Sequence, residues 1–168
     1  MNSPAIPQSA PAEPQAVGLA RRLVDEVWNQ QDEGAVTALM PHSFAWNEDR
    51  TIGPTRVSGM GGRSMLQEVR ANHAAFPDFE VNVTDAFWDD QGRALVLIHA
   101  SGTHTGEVRL GNNRVTDGKV LEASGAKLQA TGWLLVKTRD GKILGVSPSW
   151  NPRSLLQQAA GVEPEDLA

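Results

Sequence analysis

Cysteine is absent from the 168 residues. Disulfides, thiolate nucleophiles and thiolate metal sites are excluded together, and the usage fits a reducing compartment. A basic balance is missing too: the formal net charge is -5, which leaves no electrostatic footprint for nucleic acid. No stretch approaches the roughly 18 apolar residues of a membrane span, and there is no polybasic or strongly amphipathic segment. The N-terminus lacks the charged-then-apolar layout of a signal peptide. The expectation is a soluble, cytoplasmic protein with neither a nucleic-acid nor a membrane partner. The four histidines have no local pair spacing, so no metal site is expected.

What is present suffices for one domain. The hydrophobic fraction of 40% supports a core of ordinary size, with tails outside it. Residues 1–14 carry four prolines among small and polar residues and are expected to be disordered. Residues 15–161 form the domain, and the acidic residues 162–168 are a frayed C-terminal tail.

The domain opens with a helix over Gln15–Gln31, in which Ala16, Leu19, Ala20, Leu23, Val27 and Trp28 recur at helical spacing. Asp32 caps a second short helix that ends at Pro41. Ser43–Asn47 reads as a short strand, and Glu48–Gly62 as a polar, Gly-rich connection. Arg63–Phe76 is a third helix, stopped by Pro77, with Met65, Val69, Asn72 and Phe76 on one stripe and His73 at its shoulder. Strands follow over Phe79–Trp88, Arg93–Thr105, Leu128–Thr138 and Ile143–Trp150, with turns at DDQG and RDGK. Gly106–Lys127 is a long excursion with room for a small hairpin. Arg153–Gln158 closes with a short helix.

The strand ALVLIHASGTHTGE organises the rest. Its alternation puts Val96, Ile98, Ala100, Gly102 and His104 on one face, and Leu95, Leu97, His99, Ser101 and Thr103 on the other. His104, at the end of an apolar row, is the candidate acid or base, or a strand-end histidine bonded to a loop. His99 belongs to the opposite face, a dimer surface or solvent. Three helices followed by a meander of long strands predict an α+β fold. A strongly curved sheet over so few helices leaves a cone-shaped cavity.

The segments VDEVWNQQDEGAV, SFAWNED, AAFPDFEV, SGTHTGE, TGWLLVKTRDGKIL and SWNPRSLLQQAAG, in this order, resemble the SnoaL-like polyketide cyclases of the nuclear-transport-factor-2-like superfamily. The resemblance spans roughly residues 16–161 and implies a cone-shaped fold, three N-terminal helices packed in a strongly curved, mostly antiparallel sheet. It also implies a homodimer through the outer face of the sheet, and a hydrophobic pocket for a polycyclic or other apolar small molecule. The founding cyclases close rings by intramolecular aldol chemistry with no metal and no cofactor.

By the same resemblance, His104 matches the family's pocket histidine. The catalytic aspartate falls at Leu134, which carries no proton. An aspartate near the end of the last strand corresponds to Asn151, and a histidine in the first short strand to Asn47. Asn47 and Asn151 could hold a carbonyl or enolate oxygen by hydrogen bonding. Trp46 and Trp150 are candidate pocket walls, with core packing as the alternative. Trp133 alternates with Leu134, so one faces inward and the other outward. Asn72 or His73 reaches the cavity, with Asn72 preferred. Glu48 is the aligned carboxylate base, or a solvated loop residue. The expected function is acid–base chemistry of the cyclase, isomerase or dehydratase kind on an apolar natural-product intermediate. The alternative is a non-catalytic binding or accessory module on the same fold.

Overall fold

The computed structural model describes residues 13–42, 44–48, 57–109, 120–150 and 158. The side chains of 45–48, 57–60, 108–109, 121 and 150 are outside that description. So are both expected tails, apart from Glu13 and Pro14, and most of the expected closing helix. Among the described residues no helix is long and apolar enough to cross a membrane.

Helix α1 (Gln15–Arg22) continues into a π-helical stretch, Leu23–Asn29, rather than running on as α-helix. Leu23, Val24, Val27 and Trp28 are all buried there. Wider i→i+5 turns align positions four and five apart, so this set shares one face. Asp32 caps α2 (Glu33–Leu39) as expected, its carboxylate accepting the Gly34 N–H at 2.7 Å. β1 is Ala45–Glu48 and β2 is Val57–Met60. β2 lies inside the stretch expected to be loop; its VSGM run lacks an apolar alternation. Helix α3 covers Gly62–Ala75.

The long strands fall where the hydrophobic alternation puts them: β3 Glu80–Trp88, β4 Arg93–Thr103, β7 Lys127–Arg139 and β8 Lys142–Trp150. The room left for a hairpin is used by β5 (Val108–Arg109) and β6 (Val120–Leu121). The main sheet has the order β2-β1-β8-β7-β4-β3, antiparallel throughout except for β1 beside β8. The fold is α+β, as expected.

The helices pack into the concave face. Leu19, Leu23, Val27, Leu39, Met65 and Leu66 meet Val96, Ile98, Leu134, Val136, Ile143 and Val146 in one core. β3 is the outer strand at one edge, and its backbone is covered by Asn29. The Asn29 amide donates to Val81 O and accepts from Val81 N, both at 2.8 Å. One side chain at the end of the π-helical stretch thus stands in for a neighbouring strand.

Candidate functional site

The alternation along β4 is as expected. Ala94, Val96, Ile98, Ala100 and Gly102 are buried, while the residues between them are partly exposed. His104 continues the inner row one residue past the strand and is 0% exposed. It is the one buried polar or charged side chain among the described residues.

Two segments hold it. On one side His104 N donates to Ala126 O at 2.9 Å, and Gly125 N donates to His104 O at 2.8 Å. On the other, Thr105 N and Gly106 N donate to Ala75 O, at 3.1 and 2.9 Å. That carbonyl belongs to the last turn of α3, where helix carbonyls have no partner within the helix. The Phe76 ring lies 5.3 Å from the imidazole, tilted by 40°. Nδ1 of His104 is 3.0 Å from Ser124 Oγ. Nε2 is buried and has no hydrogen-bond partner among the described residues.

Asp78 fixes the residue before the histidine. Its carboxylate accepts from Thr103 N at 2.6 Å and from Thr103 Oγ1 at 2.7 Å. This links the AFPD and SGTHTGE segments physically. The Thr103 hydroxyl, then the Thr103 amide, hold the Asp78 carboxyl below the ordinary carboxylate range. A depressed folded pKa contributes stability above the unfolded value, lost as pH falls through the folded one. Asp78→Asn is therefore expected to melt below the wild type at neutral pH, with the gap closing towards acid. A gap in melting temperature that stays constant down to acid pH would refute the pairing.

Small residues recur on the concave face from the middle of β4 towards the histidine. Ala100 stands opposite Ala130, and Gly102 opposite Leu128, while Gly132 faces Ile98. Ala130 and Gly132 are half-buried, unlike Val96, Leu134 and Val136 at the other end. Gly102 lies under Phe76 and Phe79: a β-carbon there would sit 3.1 Å from Phe76 Cβ.

The remaining candidates divide. Leu134 is 0% exposed and pairs with Val96. It lies eight residues along the sheet from His104, about 26 Å at roughly 3.3 Å per residue. Leu134 is thus a core residue at the opposite end from the histidine. Trp133, its neighbour, is 40% exposed on the convex face. His99 is on that face too, opposite Thr131 and Asn82, away from His104.

Asn72 is exposed, which corrects its placement on the core stripe. Gly62, Met65, Leu66 and Val69 centre the buried face of α3. At 3.6 residues per turn, His73 falls about 30° from that centre and Asn72 about 70°. His73 is the half-buried one of the two. Its Nε2–H donates to Trp28 O at 2.8 Å, because a carbonyl can only accept. Its ring packs edge-on against Phe79 at 5.6 Å. Asn47, Glu48, Trp46 and Trp150 lie on described strands, but their side chains are outside the described set, and Asn151 is wholly outside it.

Ser124 and Asp78 carried no signal as site members. Ser124 lies in the excursion without period, 20 residues from His104, and only the fold-back of 122–126 brings them together. Gln158, in the closing segment, is helical and bonds both backbone groups of Gln129, at 2.8 and 2.9 Å. A groove of about 360 Å³ lined by Gln91, Arg93, Lys137 and Ser147 lies at the far end of the sheet and does not touch His104. Among the described residues no three His, Asp or Glu side chains group as metal ligands would.

A family model described as SnoaL-like polyketide cyclase matches residues 18–159. The chain belongs to the SnoaL-like polyketide cyclase family. The match covers the same stretch as the segment resemblance. No curated protein matches the sequence.

Solved structures share the fold. A SnoaL-like protein from Jannaschia sp. CCS1 superposes with a TM-score of 0.71 at 18% identity, over 93% of this chain and 99% of that one. IdmH of Streptomyces antibioticus, proposed to be a polyketide cyclase, gives 0.67 at 19% identity over 86% and 98%. AclR of Streptomyces galilaeus, proposed to be a hydroxylase, gives 0.66 at 20% over 89% and 87%. At these identities the likeness concerns the fold, and one fold carries several chemistries.

Proposed function

We propose that this SnoaL-like protein is an acid–base enzyme acting on an apolar, carbonyl-bearing natural-product intermediate, with His104 moving the proton. The observation that carries this reading is the buried Nε2 of His104, which has no partner among the described residues. An unsatisfied buried polar atom costs about 1–3 kcal/mol. A fold retains such a cost where a ligand's polar group takes up the bond.

Ala100 and Ala130, a small pair opposite each other on the inner row of the strands leading to His104, are the residues proposed to border an apolar pocket for a flat ring system. A ring carbon between or beside carbonyls would offer its proton to Nε2. The resulting enolate could then attack a second carbonyl, rearrange or expel a leaving group, giving cyclase, isomerase or dehydratase chemistry. Asn47 and Asn151 are the proposed holders of the substrate oxygens, and Trp46 and Trp150 the proposed walls.

The test is solvent exchange. The protein is incubated in D₂O with apolar polycyclic ketones and β-keto esters, and deuterium is followed at the carbon next to the carbonyl. Exchange above the buffer rate is expected. Binding of these compounds without exchange would leave the second reading, a binding module. That reading is favoured by His104 being the single buried polar side chain among the described residues.

The protein is further proposed to act as a homodimer through the convex face of the sheet. Phe87 is 53% and Trp133 40% exposed there, with Leu95, Leu97 and Leu135 partly exposed on the same side. An apolar face of this kind is unusual on a monomer. Trp133→Glu is expected to convert the dimer to a monomer in sedimentation velocity. A monomeric wild type would rule the dimer out.

A further inference from the structure

We infer that Ser124 is a positioning and proton-relay residue, connecting the buried imidazole of His104 to bulk water. The inference rests on the reading of His104 as the proton-moving group. Three observations combine. His104 is 0% exposed, so its ring has no direct access to solvent. Its Nδ1 lies 3.0 Å from Ser124 Oγ. Ser124 itself is exposed. The serine therefore spans the boundary that the imidazole cannot cross.

The relay uses one of the two directions open to the hydrogen bond between Nδ1 and Ser124 Oγ. Ala126 N–H already donates to Ser124 Oγ, at 3.3 Å. In the tautomer the relay requires, the Nδ1–H of His104 is the second donor and fills the other lone pair of the hydroxyl oxygen. The serine hydrogen is then free to point at water. With the proton on Nδ1, Nε2 carries a bare lone pair on the buried side, which is the form a base requires. The segment is held in this arrangement by the backbone pair between His104 and Gly125–Ala126. Gly125 takes a φ of +71° to make it.

The transfer balances. Nε2 accepts a proton from the substrate carbon. The Nδ1 proton passes to Ser124 Oγ, and the serine hydroxyl proton passes to a solvent water. Run in reverse, the same chain delivers a proton from water through Oγ and Nδ1, so that Nε2–H can protonate the product. The Nδ1 side is thereby reset through Ser124, while the proton on Nε2 exchanges with solvent when the pocket opens to exchange substrate for product.

The experiment needs no substrate. The full chain is labelled with ¹⁵N-histidine, and exchange of the His104 ring N–H with water is measured by NMR in wild type, Ser124→Ala and Ser124→Thr. With the relay removed, exchange must wait for local opening of the segment. Ser124→Ala is expected to slow it by about 10-fold or more, and Ser124→Thr to restore it. A serine that merely props the segment shut gives the opposite sign, faster exchange in Ser124→Ala, and that result overturns the relay. Unchanged exchange overturns it as well. Slowed ring exchange in a protein that shows no deuterium transfer to any carbonyl compound would keep the relay and remove the enzymatic reading. The two ideas therefore fail separately.

Discussion

His104→Leu is expected to lower catalysed proton exchange into a carbonyl compound by about 10²–10⁴-fold, the usual contribution of a positioned acid–base group. The same variant is expected to melt at the wild-type temperature or above. The two halves have one cause. The imidazole is fully buried, and its Nε2 has no partner among the described residues. Leucine is of similar size and removes that atom, a relief of about 1–3 kcal/mol. The lost bond from Nδ1 to Ser124 contributes about 1 kcal/mol, and the exposed serine hydroxyl is resolvated. A residue that raises stability when replaced but is needed for turnover is kept for chemistry. Thermal melting and deuterium exchange, measured on the same two proteins, decide the matter. A leucine variant that melts well below the wild type while exchanging normally would make His104 a structural residue.

Gly106→Ala is expected to be the most damaging small substitution in this part of the fold. A β-carbon on Gly106 would lie 2.2 Å from Ala74 O and 3.0 Å from Ala75 Cα. Both are backbone atoms of the last turn of α3, so no side chain can rotate away. Forcing the strands of chain apart costs about 1–3 kcal/mol in overpacking. It also weakens the two bonds from Thr105 N and Gly106 N to Ala75 O, each worth about 1 kcal/mol. At roughly 2–4 °C per kcal/mol for a domain of this size, the melting temperature should fall by about 5–10 °C.

Gly18→Ala provides the contrast. Gly18 lies inside α1, and a β-carbon there meets nothing within 4 Å. Alanine in a helix interior is favoured over glycine by about 1 kcal/mol, so this variant should melt a few degrees higher. Differential scanning calorimetry of the pair reads both signs. Equal effects would mean that the GTHTG segment is not docked on α3 as described. The Gly106 variant should also loosen His104, because the same two bonds fix the residue that follows it.

Much of this fold is written in short-range pattern. Period-two alternation places β4 and β7 within two residues of their observed ends, since residues two apart share a face whatever lies across the sheet. Asp32 and Pro77 bound helices by local chemistry, a side-chain acceptor and a missing N–H. The segment order AFPD, SGTHTGE and SWNP carries the family. The π-helical turn over Leu23–Asn29 has no such mark, because its apolar spacing also satisfies an α-helix. β2 was hidden because VSGM gains its strand character from pairing with β1.

The candidate site was legible in its centre and not in its surroundings. His104 could be placed on the inner row of a strand by counting. Asn72 and His73 could not be ordered by counting alone, because the two lie about 100° apart on the helix and the centre of the buried stripe decides between them. Leu134 was brought into the site by position in the family, yet strand length separates it from the histidine.

The sequence by itself determined the fold class, the strand faces and the histidine at the end of the inner row, all of which follow from periodicity and local capping. Only the tertiary structure decided that Asp78 holds Thr103, that Ser124 reaches Nδ1, and that Nε2 faces the interior without a partner among the described residues. Those facts depend on segments 20 or more residues apart meeting in space, and no local pattern records where a folded-back loop will land.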